Sequence, residues 1–588
     1  MKLSINYILE NRHKYLTDKQ FLNILAAIVG LTVGLAAVVI KNSVFLIQQL
    51  LKAESLSSFQ HYFYFVYPVI GIFMAILFVK WFIKIKVEHG IPSVLYAISQ
   101  TKGHIKPHNM FSSIITSALT VGFGGSVGLE GPTVATGAAY GSAIGRAFRL
   151  NYKQIIILLG AACTGAMAAI FKAPVAGIVF AMEVIMIDLT IGSVLPLLIS
   201  SVAAVLTSYL FLGPDVLYHF DFKEPFNMAD LPMYVLLGVA AGLISVYFTK
   251  VYIFTQKVFG KIKNLYTKLL LAGISLGMLI FFFPALYGEG YEVINEALKG
   301  NSEFVWQSSL FSDFSSGFWT SALIIFGIIL VKSFATSLTF AAGGVGGIFA
   351  PTLFMGSLVG LLFALVLNQL GMDIPVANFT LVAMAGTIAG VLQAPLTAIF
   401  LIAEISGGYQ MLVPLMLVSV ISYITTRAFI TNSVYTYQLA QRGQLMTHHA
   451  DKNTLKLIDL EKIIETDFKT IHPDSLLGDL VNIISESDRS VFPVVDKNRK
   501  LIGIVHFADV RKVIFKPKLY DKIKISELIS YPEFTVQKGD TMERVAQELS
   551  DHQIYNIPVV ENGKYVGFIS RANFFAEYRN LLRDLSED

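Results

Sequence analysis

The stretch Ser333–Met372 runs for 40 residues without a charged side chain, and it limits the chain more than any other feature. As one straight helix it would be about 60 Å long, twice the hydrocarbon thickness of a bilayer. Gly343-Gly344-Val345-Gly346-Gly347 stands at its centre, and glycine at that density does not hold a continuous helix. Phe111–Gly145 behaves alike: 35 residues, one charge at Glu130, and Gly122, Gly124, Gly125 and Gly128 just before it. Glycine-interrupted apolar segments of this kind predict broken helices that meet near a membrane midplane. Other runs, such as Phe21–Ile40 and Tyr62–Val79, fit a single span.

Composition sets the class. Only 15% of the residues are charged and 54% are hydrophobic, against about 25% charged in soluble globular proteins. The chain therefore reads as a polytopic protein of the lipid bilayer. Its net charge of +4 gives no argument for a nucleic-acid partner. Cys163, the sole cysteine, excludes intrachain disulfides and any thiolate metal cluster. Of the 86 charged residues, 43 fall in the last 138 positions. Three parts are expected: a short polar segment over 1–20 with no cleavable signal pattern, a membrane domain over 21–445, and a soluble domain over 446–588.

The membrane part is duplicated. Gly128-Leu129-Glu130-Gly131-Pro132 aligns with Gly347-Ile348-Phe349-Ala350-Pro351 at an offset of 219. Ala173-Pro174-Val175-Ala176-Gly177-Ile178 aligns with Ala394-Pro395-Leu396-Thr397-Ala398-Ile399 at an offset of 221, and both continue to a glutamate, Glu183 and Glu404. Two pairs in one order at nearly one offset mark two halves, whose relative orientation the sequence leaves open. The fold class expected is an all-α polytopic membrane domain with two internally duplicated halves and broken helices, followed by a small α/β domain.

These motifs carry a resemblance. Gly128-Leu129-Glu130-Gly131-Pro132, then Gly347-Ile348-Phe349-Ala350-Pro351, then Tyr435, resemble in order and spacing the CLC family of chloride channels and anion/proton exchangers. Glu88-His89-Gly90-Ile91-Pro92 matches a further, weaker motif of that family. The resemblance covers roughly residues 20–445. It implies a homodimer in the cell (inner) membrane, one pore per subunit, with the tail cytoplasmic. It also implies a central anion held by the amides of Ile348 and Phe349 and the hydroxyl of Tyr435, with His89, Gly90 and Ile91 on its inner side. Glu130 is implied as the gate.

The physics of the motifs points the same way. An anion crossing a bilayer must exchange water for other donors without being trapped. A fixed Lys or Arg would hold it too tightly, and the two glycine-rich runs contain none. Backbone N–H groups at helix N-termini offer about half an elementary charge instead. Each motif supplies glycines for close approach, then a helix start marked by Pro92, Pro132 or Pro351. A carboxylate deep in an apolar run is functional by default. Ionised, Glu130 would occupy an anion site; protonated, it would lose its attraction and swing away. Glu183 and Glu404 are read as structural.

Two departures from the family pattern matter. His89 stands where the filter serine is usual, and it reads either as an anion-facing donor or as packing against Glu88; the choice of anion stays open with it. Val184 stands where exchangers of the family commonly carry a second, proton-carrying glutamate, and Asp188 lies one helical turn beyond. A gated chloride channel is the reading taken, with a proton-coupled anion antiporter as its alternative. A membrane-embedded enzyme would need a nucleophile–base set or clustered metal ligands, and the spans offer neither. A divalent-cation transporter would need several pore carboxylates, and the glycine-rich runs hold only Glu130.

The tail repeats internally. Phe492-Pro493-Val494-Val495-Asp496 with Leu501-Ile502-Gly503-Ile504-Val505 recurs as Ile557-Pro558-Val559-Val560-Glu561 with Tyr565-Val566-Gly567-Phe568-Ile569. Each unit reads as a helix, two short strands and another helix, and the pair resembles tandem CBS modules. Ligand-binding modules of that kind hold a ribose with a Ser or Thr three residues before an Asp. Here the first copy has His506 and Asp509 and the second Ser570 and Asn573, so each is incomplete. Asp509 and Ser570 remain candidates for an adenine nucleotide beside a structural role; no cofactor is required for transport.

Overall fold

The computed structural model describes residues 15–51, 60–84, 90–185, 191–213, 226–307, 317–437, 460–551 and 554–586. The chain divides into two compact units, Met1–Leu445 and Met446–Asp588. Among the described residues of the first, nine helices are long and apolar enough to cross a membrane.

The first half of the membrane unit contains α1 (Asp18–Leu51), α2 (Gln60–Phe78, continued by a π-helical turn to Ile83), α3 (Gly90–Gln100) and α4 (Asn109–Gly122). It continues through α5 (Glu130–Ala147), α6 (Tyr152–Phe171), α7 (Pro174–Glu183) and α8 (Ile191–Leu212). The second half contains α9 (Leu231–Gly260), α10 (Leu265–Phe282), α11 (Tyr291–Leu298) and α12 (Phe318–Ala341). It ends with α13 (Phe349–Gln369), α14 (Val376–Leu392), α15 (Pro395–Ile405) and α16 (Leu412–Phe429). At 34 residues α1 is about 51 Å long, so it exceeds a perpendicular crossing.

Both glycine-rich runs break as expected. The helix α4 ends and the chain turns at Gly124 (φ +94°) before α5; α12 ends and the chain turns at Gly343 (φ +101°) before α13. These two left-handed glycines are themselves 219 residues apart, so the break is part of the duplicated unit. Small residues let the surrounding helices close on one another. A Cβ added to Gly30 of α1 would sit 2.4 Å from the Ser200 carbonyl oxygen of α8, and one on Gly360 of α13 at 2.4 Å from the Phe379 carbonyl oxygen of α14.

In the second unit each repeat builds an antiparallel hairpin. Strands β1 (Val491–Val495) and β2 (Leu501–His506) pair from Val491↔His506. Further along, β3 (Val536–Gln537) runs parallel to β4 (Asn556–Glu561), which pairs with β5 (Lys564–Ser570) from Asn556↔Ser570. Helices Leu477–Ser485 and Met542–Asp551 precede the hairpins, and Phe507–Val510 and Arg571–Ser586 follow them. The hairpin turns meet: the Leu501 amide donates to the Gly563 carbonyl and the Tyr565 amide to that of Arg499. Phe468, Val491, Ile504, Tyr565 and Phe568 fill a core shared by both repeats.

Candidate functional site

The duplicated loops are bonded to each other. The Gly128 amide donates to the Gly347 carbonyl at 2.9 Å and the Gly347 amide to that of Gly128 at 2.7 Å. Beside this bridge a second pair of contacts is also reciprocal. The Ser126 amide donates to the hydroxyl of Thr339 (3.2 Å), and the Val345 amide to that of Thr120 (3.1 Å). Each of these residues has its counterpart 219 positions away. Reciprocal contacts between equivalent groups are what a two-fold axis produces, and the bridge is antiparallel.

Three helix starts gather at this bridge. Glu130 and Phe349 open α5 and α13, and Gly90 opens α3. The backbones are in contact, since a Cβ on Gly90 would lie 3.5 Å from Gly131, and one on Gly131 would lie 3.2 Å from the Cα of Gly347. Gly90 itself takes φ +48°. Ile91, Ile348 and Phe349 are buried, and Phe349 rests between Phe171 and Phe180 at ring separations of 5.7 and 6.0 Å. Donor groups of three positive helix ends are thus concentrated without a lysine or arginine among them. His89 lies outside the described residues.

Glu130 occupies the middle of this arrangement and is 1% exposed. Its Oε1 accepts from the Tyr291 hydroxyl at 3.1 Å, while its Oε2 has no hydrogen-bond partner among the described residues. The carboxyl folds back over the bridge: a Cβ on Gly128 would fall 2.0 Å from Oε2, and one on Gly347 2.8 Å from it. Tyr435, 5% exposed and within electrostatic reach of Glu130, likewise has a hydroxyl without a partner among the described residues. A carboxyl aimed at donor-rich backbone and a buried hydroxyl beside it can each take a further polar partner.

Sequence reasoning missed the charges behind this site. Lys332 of α12 is fully buried; its Nζ donates to the Ser126 hydroxyl at 2.8 Å and stands 4.5 Å from the Phe354 ring centre. Lys41 of α1 donates to the Ile170 carbonyl at 2.6 Å. Glu289, in the loop before α11, lies within electrostatic reach of Glu130, Lys41 and Lys332. The signal that singled out Glu130, an ionisable residue beside long apolar runs, applies equally to Lys41 and Lys332. Tyr291 carried no comparable signal.

Glu183 and Glu404 exchange helix caps. Glu183, at the end of α7, accepts from the amides of Leu396 (3.1 Å) and Thr397 (2.7 Å) and from the Thr397 hydroxyl (2.8 Å) at the start of α15. Glu404, near the end of α15, accepts from the amides of Val175 (3.0 Å) and Ala176 (2.8 Å) at the start of α7. The two helices therefore run antiparallel, each carboxylate meeting the other's positive end. Val184 caps the end of α7 and is buried. Asp188 lies outside the described residues.

In the tail, Ser570 and Asp509 are tied to protein. The Ser570 hydroxyl contacts Glu465 and accepts from the Asn573 amide at 3.1 Å; Asp509 accepts from the Ser530 hydroxyl at 3.4 Å. A cleft of about 490 Å³ between the repeats is lined by His506, Tyr531, Glu533 and Tyr555 among others.

Comparison with known proteins agrees with this architecture. The family model for voltage gated chloride channels matches residues 70–427, and that for the CBS domain matches residues 460–516 and 525–580. The H(+)/Cl(-) exchange transporter ClcA of Vibrio cholerae is 30% identical over 309 residues, covering 51% of this chain and 62% of that protein. The voltage-gated ClC-type chloride channel ClcB of Escherichia coli is 28% identical over 351 residues, covering 58% and 79%. A crystal structure of a slow cyanobacterial Cl-/H+ antiporter superposes with a TM-score of 0.63 at 22% identity, covering 73% of this chain and 98% of that one. At that identity the structural likeness speaks to the fold.

Proposed function

Because the chain belongs to the CLC family of voltage-gated chloride channels and carries a pair of CBS domains, its multi-pass membrane unit transports anions, and we propose that the anion is chloride and that Glu130 gates it. The observation that carries the gate is the position of the Glu130 carboxyl, folded over the Gly128–Gly347 bridge at three helix N-termini. Ionised, it stands where a chloride would be held. Protonated, it has no charge to hold it there, and the anion replaces it among the amides of Ile348 and Phe349 and the hydroxyl of Tyr435, with Gly90 and Ile91 alongside. Replacement of Glu130 by Gln tests this: chloride flux from liposomes persists and loses most of its pH dependence.

Val184 supports a gated channel over a coupled antiporter, since a valine at the end of α7 carries no proton. Reversal potentials under crossed chloride and proton gradients decide between the two. A chloride gradient that drives protons uphill, through a process abolished by Glu130→Gln, establishes the antiporter. Orientation follows from charge. Lys80 donates to the Tyr266 hydroxyl at 2.8 Å, so the end of α2 adjoins the start of α10, where Lys84, Lys261, Lys263 and Lys268 also cluster in sequence. By the positive-inside rule this end faces the cytoplasm, in the cell membrane; the tail is read as cytoplasmic. We read the assembly as a homodimer with one pore per subunit. The tail's role is read as structural, because the Ser570 hydroxyl is engaged by Glu465 and Asn573. Stabilisation of the full-length protein by ATP, ADP or AMP would instead assign the cleft beside His506 to an adenine nucleotide.

A further inference from the structure

One cavity in the membrane unit comes within one side chain of Glu130. It measures about 340 Å³ and its walls include Tyr64, Tyr67, Tyr287, Glu289, Tyr291 and Glu292. Tyr64 and Tyr67 belong to the end of α2 opposite Lys80, so the cavity lies at the extracytoplasmic end of the unit as oriented above. Tyr291 is both a wall of the cavity and the residue whose hydroxyl donates to Glu130. A single side chain therefore separates cavity from gate.

Glu289 stands two residues before Tyr291 in a loop of fixed shape. Its neighbours Gly288 and Gly290 take φ +62° and +84°, and the Gly288 amide donates to the Gly124 carbonyl at 3.2 Å. The charged groups facing Glu289 are Lys41 from α1, Lys332 from α12 and Glu130 from α5, with Tyr64 and Glu292 across the cavity. Two lysines offset its charge when it is ionised, and Glu130 opposes that charge. A carboxyl so placed exists in either protonation state without being left as an isolated charge in an apolar interior.

We propose that this cavity is the route by which protons from the extracytoplasmic solution reach Glu130, with Glu289 as the group that relays them. The idea rests on the reading of Glu130 as gate. In the relay, Glu289 takes a proton from a hydronium ion in the cavity, releasing water. It passes that proton to the Tyr291 hydroxyl as the hydroxyl gives its own to the Glu130 carboxylate. Tyr291 ends as it began, Glu289 is ionised again, and Glu130 is neutral. Reversal of the same steps returns the proton to water.

The test is the rate at which chloride flux through the full-length protein in liposomes responds to a pH step on the cavity side, scaled to each variant's own steady flux at low pH. We expect Glu289→Gln to slow that response at least tenfold and Glu289→Asp to restore it to within about threefold. A step from the opposite side should leave the Gln variant and the parent alike. Tyr291→Phe keeps the ring and removes the hydroxyl, so it should slow the response similarly and stands in if Glu289→Gln does not fold. Unchanged rates in both variants, or equal slowing from both sides, overturn the relay. If Glu130→Gln keeps the pH response, the gate reading fails, whatever Glu289 does.

Discussion

Placing a methyl group on Gly128 should force the gate open without touching the gating residue. The added Cβ would fall 2.0 Å from Oε2 of Glu130, 2.7 Å from its Cδ and 2.8 Å from its Oε1. All three nearest atoms belong to the far end of one flexible side chain, and Gly128 is not among the residues with positive φ. Alanine is therefore compatible with the backbone conformation, and its nearest clash is with the seated carboxyl, which must retreat about 1.4 Å to reach ordinary contact. That retreat breaks the 3.1 Å bond from Tyr291. A hydrogen bond to a charged group is worth about 1.5–3 kcal/mol, so this loss alone depopulates the seat by about 10- to 150-fold. The overlap itself adds to that. Chloride efflux from liposomes at pH 4.5 and 7.5 gives the readout: the ratio should be large in the parent and fall towards one in Gly128→Ala. In the double variant with Glu130→Gln the two effects should not add, because both remove one blocking state. Gly347→Ala is the contrast, because its Cβ also meets the Gly131 amide nitrogen at 2.8 Å and strains backbone; it should cost folded protein. A well-folded Gly128→Ala protein with the parent's pH ratio would sink the placement of the gate.

Three further outcomes follow from the same structure. Glu183→Ala and Glu404→Ala each leave two helix-start amides without an acceptor, a loss of about 2–5 kcal/mol; both should lower the melting temperature in detergent, Glu183→Ala at least as far because Thr397 also loses its partner. In the tail, Arg489 bonds both oxygens of Asp467 at 2.7 Å and Glu465 at 2.6 Å, and it holds the Asp467 carboxyl below the usual carboxylate range. A depressed folded value means the contribution is present above that range and lost as pH falls through it, so Arg489→Met should speed amide exchange around Phe568 at pH 7 and leave less further loss on acidification. His89→Ser should change the chloride-to-nitrate preference; equal ratios in the two proteins would assign His89 to packing.

Much of the site was legible because duplication writes the same chemistry twice. The offsets of 219 and 221 picked out the segments that the fold joins in the bridge and the exchanged caps, and a lone carboxylate in an apolar run picked out Glu130. Thr120 and Thr339 obey the same offset, yet a threonine in an apolar helix is too ordinary to draw notice until its hydroxyl is seen accepting from the opposite loop. Tyr291 was illegible for another reason. It lies 161 residues from Glu130 in a short polar segment, and only tertiary packing makes it that carboxyl's donor. Ser570 shows the converse: its spacing to Asn573 suggested a sugar-binding hydroxyl, and the fold uses that hydroxyl as the cap of the helix Arg571–Ser586.

The exchanged caps also make the two halves depend on each other. Among the described residues, the amides of Val175 and Ala176 at the start of α7 bond a carboxylate from α15, and those of Leu396 and Thr397 at the start of α15 bond one from α7. A protein made of one half alone would carry both partners of the bond but could not bring them together, because its own glutamate sits at the wrong end of its own helix. It could close those bonds only against a second copy inserted the other way up. Neither half is therefore finished by itself: each supplies the acceptor that the other's helix start lacks.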